Sequence, residues 1–139
     1  MIRPVETAKP TDTLMCVLQK MVEKNVGCLV IVDEQKPVGM ITERDVLRNI
    51  TRDAGLLKST VGSVMSSPLI FLSPVAPISE AMETMLSYGI RRLPVVESGR
   101  LVGVVTERDI LHWVIKIANE PKIPPEVQEI LRKPLASKS

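Results

Sequence analysis

Apolar residues recur along this chain in two patterns that take turns, a helical spacing and a short unbroken run. Leu14, Val17, Leu18, Met21 and Val22 fall at the i, i+3, i+4, i+7 and i+8 positions of an amphipathic helix, and Ile78, Ala81, Met82, Met85 and Leu86 repeat that spacing. After each stripe comes an apolar run too short for a helix and rich in β-branched residues, Cys28 to Val32 and Leu93 to Val96, which reads as a buried strand. The polar stretches Asp33 to Lys36 and Glu97 to Arg100 supply tight turns, and Val38 to Ile41 and Val102 to Val105 the returning antiparallel strands. A second helix begins at the letters TERD in both places and runs on through Val46, Leu47 and Ile50 or Ile110, Leu111, Val114, Ile115 and Ala118. Short extended lead-ins, Val5 to Thr7 and Leu69 to Leu72, precede the first helices. Asp12 is the expected N-cap of one of these and Pro77 the expected first residue of the other.

The two halves are copies of each other. Shifted by 64 positions, Met1 to Leu47 aligns with Met65 to Leu111 without a gap, and "GMITERDVL" (from Gly39) falls on "GVVTERDIL" (from Gly103). Where identity is lost the swap is usually apolar for apolar, as in Val26/Ile90, Ile31/Val95 and Val46/Ile110, so the pattern is that of an internal duplication. We divide the chain into residues 1–58, a first repeat with its linker, residues 59–119, a second repeat, and residues 120–139, a C-terminal tail. Arg48 to Ser63 joins the repeats, and the tail has room for one short helix around Pro125 to Arg132 before frayed last residues. A unit of some 60 residues buries only a modest core alone. The expected fold is therefore α+β (mixed α/β), with each repeat a small β-sheet flanked by helices and the two packed as an intramolecular pseudo-dimer.

Composition excludes more than it assigns. A net charge of +2, from 18 basic and 16 acidic residues intermixed along the chain, names no nucleic-acid partner. Aromatic residues make up 2 % of the chain, too few for the stacking platforms of single-strand binders. Two cysteines, one histidine and no CxxC or HExxH spacing leave no metal site to build. No nucleophile stands beside the lone His112 in a recognisable motif, so no enzymatic activity and no catalytic cofactor are expected. No apolar run approaches the length of a membrane span, and the first residues have no apolar core of a secretion signal; a cytoplasmic protein is expected.

The TERD letters admit two readings. A threonine followed three residues later by an acid at a helix entrance is a capping box, in which hydroxyl and carboxylate satisfy free amide N–H groups, and this alone accounts for Thr42/Asp45 and Thr106/Asp109. The same carboxylate at a strand-to-helix junction is also placed to accept hydrogen bonds from the hydroxyls of a ribose. Neither role excludes the other.

Two GhhTxxD junctions in register, with "IRRLPVVESGRLVGVVTERDIL" around the second, resemble a tandem pair of CBS domains, the Bateman module, over residues 1 to about 118. The resemblance implies a regulatory module that binds an adenosine compound, AMP, ADP, ATP or S-adenosylmethionine, in the cleft between the repeats, with the Asp of one repeat joined to the lead-in and first strand of the other. One site would then use Thr42 and Asp45 with Ile70, Phe71, Ile90, Arg91, Arg92 and Pro94, and the other Thr106 and Asp109 with Glu6, Thr7, Val26, Gly27 and Cys28. Only the first set brings arginines for phosphate, although Arg91 and Arg92 are also plain solvated residues ahead of a strand. The resemblance further implies a homodimer and, since 139 residues encode no output domain, a separate effector protein or a change in self-association as the readout. In the first copy the lead-in starts close to Met1, so that its edge is expected to be incomplete. A dimeric scaffold without ligand and a nucleic-acid-binding protein are the alternatives. Cys28 is expected to be core filler, and His112 and Trp113 to pack or to face a partner.

Overall fold

Both copies of the pattern fold into the same small motif. The structure is a computed structural model and describes residues 1–119 and 131–136. In chain order the elements are β1 (Thr7–Ala8), α1 (Leu14–Lys24), β2 (Cys28–Asp33), β3 (Lys36–Thr42), α2 (Glu43–Arg52), two short 3₁₀ turns (Ala54–Lys58 and Val61–Ser63), α3 (Ile78–Tyr88), β4 (Arg92–Glu97), β5 (Arg100–Thr106) and α4 (Glu107–Ala118). Each repeat is thus a small sheet flanked by helices. The chain divides into two compact units, Val5–Ile70 and Met1–Pro4 joined to the described residues from Phe71 onward. No helix among the described residues is long and apolar enough to cross a membrane.

Each hairpin is closed by two residues that both take the left-handed conformation, Glu34 and Gln35 (φ 47° and 71°) and Ser98 and Gly99 (φ 51° and 76°). That pairing matches the twist of the strands, which is why so short a turn suffices. β2 and β3 pair antiparallel, as do β4 and β5, with an irregularity at Ile31/Val32 repeated at Val95/Val96. On the outer edge of β2, β1 adds a parallel pairing of Thr7 with Val30 and Ala8 with Ile31. In the second copy, Leu72 takes the equivalent place beside Val95.

The opposite edge of each hairpin is covered by a segment that precedes the other repeat in sequence. Ser66 bridges Met40, donating to its carbonyl at 2.9 Å, and Arg3 bridges Val104 through two hydrogen bonds of 2.8 Å. The first copy's edge is therefore not incomplete; Met65 and Ser66 supply it. Backbone comes so close that only glycine fits. A Cβ on Gly39 would meet the Met65 sulfur and lie 2.9 Å from the Ser66 oxygen, and one on Gly103 would meet the Arg3 carbonyl oxygen. The division by packing accordingly falls between Ile70 and Phe71, whereas the expected boundary at 58/59 lies inside the stretch Arg48 to Ser63 that joins the repeats.

In Val5–Ile70 the core is built from Leu14, Val17 and Met21 of α1, Leu29, Ile31 and Ile41 of the sheet, and Val46 of α2. Val61, fully buried, joins them, so the segment between the repeats is part of this core rather than a passive linker. The second unit buries Ile78, Ala81, Leu93, Val95, Val105 and Trp113. Leu135 is fully buried there too: its N–H donates to the Ala76 carbonyl at 2.9 Å, and the Lys133 carbonyl accepts from Ile78 N–H at 2.8 Å. The C-terminal tail is thus tied to the start of α3, while the helix expected around Pro125 and the frayed last residues lie outside the described residues. Val22 and Leu86 complete the helical spacing but stay exposed. Thr13, not Asp12, caps α1, accepting from Cys16 N–H at 3.1 Å, while the Asp12 carboxylate accepts from Lys9 N–H instead. Pro77 is the N-cap of α3, which begins one residue later.

Gly103→Ala forces a methyl group onto the Arg3 backbone. The substitution is expected to destabilise the fold by about 1–3 kcal/mol, as overpacking does, and a lower urea midpoint in equilibrium unfolding checks it.

Candidate functional site at the helix heads

The strand-to-helix junctions place the duplicated carboxylates. Thr42 and Thr106 leave their strands in extended conformation and cap the helices that follow, each in a complete capping box with the acid three residues on. Asp45 Oδ2 accepts from Thr42 N–H at 3.0 Å and from the Thr42 hydroxyl at 2.9 Å. Asp109 Oδ2 accepts from Thr106 N–H at 3.2 Å. One oxygen of each carboxylate is therefore spent on holding the helix head, and the capping reading of TERD is correct as far as it goes.

The other oxygen differs between the copies. Arg3 reaches from its place beside Val104 to Asp109 Oδ1, with Nε at 2.6 Å and a terminal nitrogen at 2.6 Å. Asp109 is 8 % exposed, a buried charge that such a pairing satisfies. Burial pushes its carboxyl toward higher pKa, but hydrogen bonds from Thr106 and Arg3, and the charge of Arg3, outweigh it and hold the group below the ordinary 3.8. Asp45 is half-buried, and no donor among the described residues reaches its Oδ1. A serine stands where the second copy has its arginine, whichever way the copies are matched: Ser66 by strand pairing and Ser67 by the repeat offset.

The remaining residues assemble unit by unit. Around Asp45, Cys28 pairs with Thr42 across β2 and β3, and the Gly27 carbonyl accepts from Glu43 N–H at 3.0 Å, which brings Val26, Gly27 and Cys28 to the head of α2. Cys28 is buried, as core filler would be. Glu6 and Thr7 lie on the lead-in, where Lys20 donates to the Thr7 carbonyl at 2.5 Å and approaches the Glu6 carboxylate at 3.7 Å. Ile70, half-buried, ends this unit. Around Asp109, Arg92 pairs with Thr106, and the Arg91 carbonyl accepts from Glu107 N–H at 2.8 Å, so that Ile90, Arg91 and Arg92 enter at the head of α4. Pro94 is buried in β4, its carbonyl taken by Leu72 N–H, while Phe71 is half exposed. Each unit gathers its own helix head with its own strand entry.

Arg3 escaped the sequence reading. Its signal was a mismatch: within the lead-in, Met1/Met65 and Pro4/Pro68 are identical, and Arg3/Ser67 changes charge between them.

Comparison with known proteins adds the family. The profile of the CBS domain matches residues 1–52 and 61–116. The uncharacterized protein MK0525 of Methanopyrus kandleri is 36 % identical over 134 residues, covering 94 % of this chain; the chain spans 65 % of that relative's length. Among solved structures, a putative signal-transduction protein with CBS domains from Burkholderia ambifaria is similar with a TM-score of 0.76 at 27 % identity, over 88 % of this chain and 90 % of that one. The CBS domain pair of protein MJ0100, solved in complex with 5′-methylthioadenosine and S-adenosyl-L-methionine, gives a TM-score of 0.73 at 29 % identity, over 82 % of this chain and 90 % of that one.

Because the folded pKa of Asp109 lies below its ordinary value, its contribution to stability is complete above that value and is lost as pH falls through the folded one. Arg3→Met removes two of the lowering causes and leaves burial, so the Asp109 pKa is expected to rise and acid unfolding to begin at higher pH. At neutral pH the cost is about 1 kcal/mol or less, because the Arg3 side chain is 64 % exposed and screened by solvent. Carboxyl-carbon NMR titration of the variant beside the parent, with an acid unfolding curve, checks both.

Proposed function

Since the chain belongs to the CBS domain family and carries two repeats of it, we propose that it is a ligand-sensing regulatory module whose ligand is an adenosine compound held by the helix-head carboxylate of Asp45. The observation that carries this reading is the divided carboxylate: Oδ2 is committed to the capping box and Oδ1 is left to accept from a ligand hydroxyl. Val26, Gly27 and Cys28 stand at the same helix head, with Glu6 and Thr7 on the strand beside β2. These supply aliphatic surface and backbone edges, the surroundings that a purine has in a chain with 2 % aromatic residues. That a similar CBS pair was solved with methylthioadenosine and S-adenosylmethionine supports the class of ligand. A phosphate-bearing compound calls in addition on guanidinium groups, for which Arg91 and Arg92 are the candidates, with Ile90, Pro94, Ile70 and Phe71 the apolar residues of the same set.

Occupancy is read out by a partner protein or by self-association of the module. In support, α4 leaves Leu111, Val114 and Ile115 exposed, and α3 leaves Leu86 84 % and Tyr88 62 % exposed. On α4 these residues fall at the i, i+3 and i+4 spacing of one face, and apolar side chains grouped in this way mark interaction surfaces.

Isothermal titration of the full chain with adenosine, AMP, ATP and S-adenosylmethionine tests the reading. At least one is expected to bind, and Asp45→Asn to weaken it roughly 10- to 100-fold, the equivalent of one charge-assisted hydrogen bond of about 1.5–3 kcal/mol. No heat with any of the four at millimolar concentration contradicts the reading and favours a ligand-free scaffold.

A further inference from the structure

The N-terminal strand does more than cover an edge. Met1 and Arg3, two residues apart and so on one side of it, lie over Asp109, His112, Trp113 and Lys116, which recur at the spacing of one face of α4. The N-terminal segment and α4 border an open-mouthed cavity of about 210 Å³ lined by these six residues. Its buried part is Trp113, 4 % exposed, and the Asp109 carboxylate; Arg3, His112 and Lys116 are exposed around it. Arg3 and Asp109 neutralise each other. That leaves the Lys116 ammonium, with no acidic partner among the described residues, and the His112 imidazole facing the same space.

The equivalent face of α2 is built otherwise. Asp45, Arg48, Asn49 and Arg52 occupy the four positions; Asn49 donates to the Asp45 carbonyl at 2.7 Å, and Arg52 to the Asn49 side chain at 3.4 Å. There Asn49 ties the helix head to Arg52, whereas on α4 a buried tryptophan takes the asparagine's place and leaves Lys116 without that side-chain bond. The duplicated motif has diverged at the residues that would meet a ligand.

We propose that this cavity is a binding site for a small phosphate-type anion, received by Lys116 and His112 and by the N–H groups of Arg3 not committed to Asp109. The chemistry is that of ammonium, imidazole and guanidinium donors converging on one anion. Size fits that class: the cavity is smaller than the 300–1,000 Å³ or so of sites that engulf a drug-sized ligand, so it has room for inorganic phosphate or a single phosphoryl group. Arg3 has a second consequence. By taking Oδ1 of Asp109 it withdraws from sugar hydroxyls the carboxylate that Asp45 still offers, and the two copies of TERD thereby serve different ligands.

Trp113 is the chain's one tryptophan, so its fluorescence reports on this cavity alone. Titration of the full chain with inorganic phosphate, at ionic strength matched with chloride, is expected to change the Trp113 emission saturably, and chloride alone to leave it unchanged. Lys116→Gln and His112→Gln, both at exposed positions that the fold tolerates, are each expected to weaken phosphate tenfold or more. Glycerol 3-phosphate run in parallel separates the sources: binding like that of phosphate assigns the site to the phosphoryl group of an ester, and no binding assigns it to the free ion. No saturable change with phosphate, or a change that both variants retain, overturns the proposal. Adenosine carries no phosphate, so its binding or failure to bind at Asp45 leaves this result untouched.

Discussion

A carboxylate has two oxygens, and the head of a helix needs only one of them. At both second helices of this protein one oxygen meets the amide N–H of the preceding threonine, closing a capping box that fixes where strand ends and helix begins. The fate of the other oxygen is then a matter of what the chain lays beside it. In one copy no donor among the described residues reaches it; in the other Arg3 takes it. The same four letters cap both helices, and a single residue elsewhere decides whether the second carboxylate oxygen is taken.

What brings Arg3 there is backbone packing. Met1–Pro4 belongs with the second repeat and Met65–Ser66 with the first, each lying against the outer strand of a hairpin at a glycine where no side chain has room. The glycine that opens each GhhTxxD stretch is thus required by the covering segment. Because the covering strands differ in sequence, Arg3 in one and Ser66 in the other, duplication of the motif does not carry duplication of its chemistry.

Much of this was legible from the order of residues. The helical spacing and the short β-branched runs placed α1, α3 and the hairpins to within a residue or two, because each element buries one stripe or one run and has little choice of face. The capping boxes at Thr42 and Thr106 were legible for a local reason: donor and acceptor are three residues apart. Contacts over long sequence distance were not. Val61 looked like linker and Leu135 like tail, yet both are fully buried, since a lone apolar residue in a polar stretch carries no period to read. Arg3 and Asp109 lie 106 positions apart, and only the break in the repeat at Arg3/Ser67 hinted at them. Asp12 lost the cap of α1 to Thr13 because its carboxylate is turned back to Lys9.

The inequality of the two helix heads is the claim on which the functional account rests. Native mass spectrometry of the chain with excess adenosine counts the heads that accept a sugar. One adenosine per chain is the predicted result, with a second appearing only when Arg3 is replaced by alanine. Two adenosines bound to the unaltered chain would contradict it, because the arginine would then not be holding the second carboxylate closed.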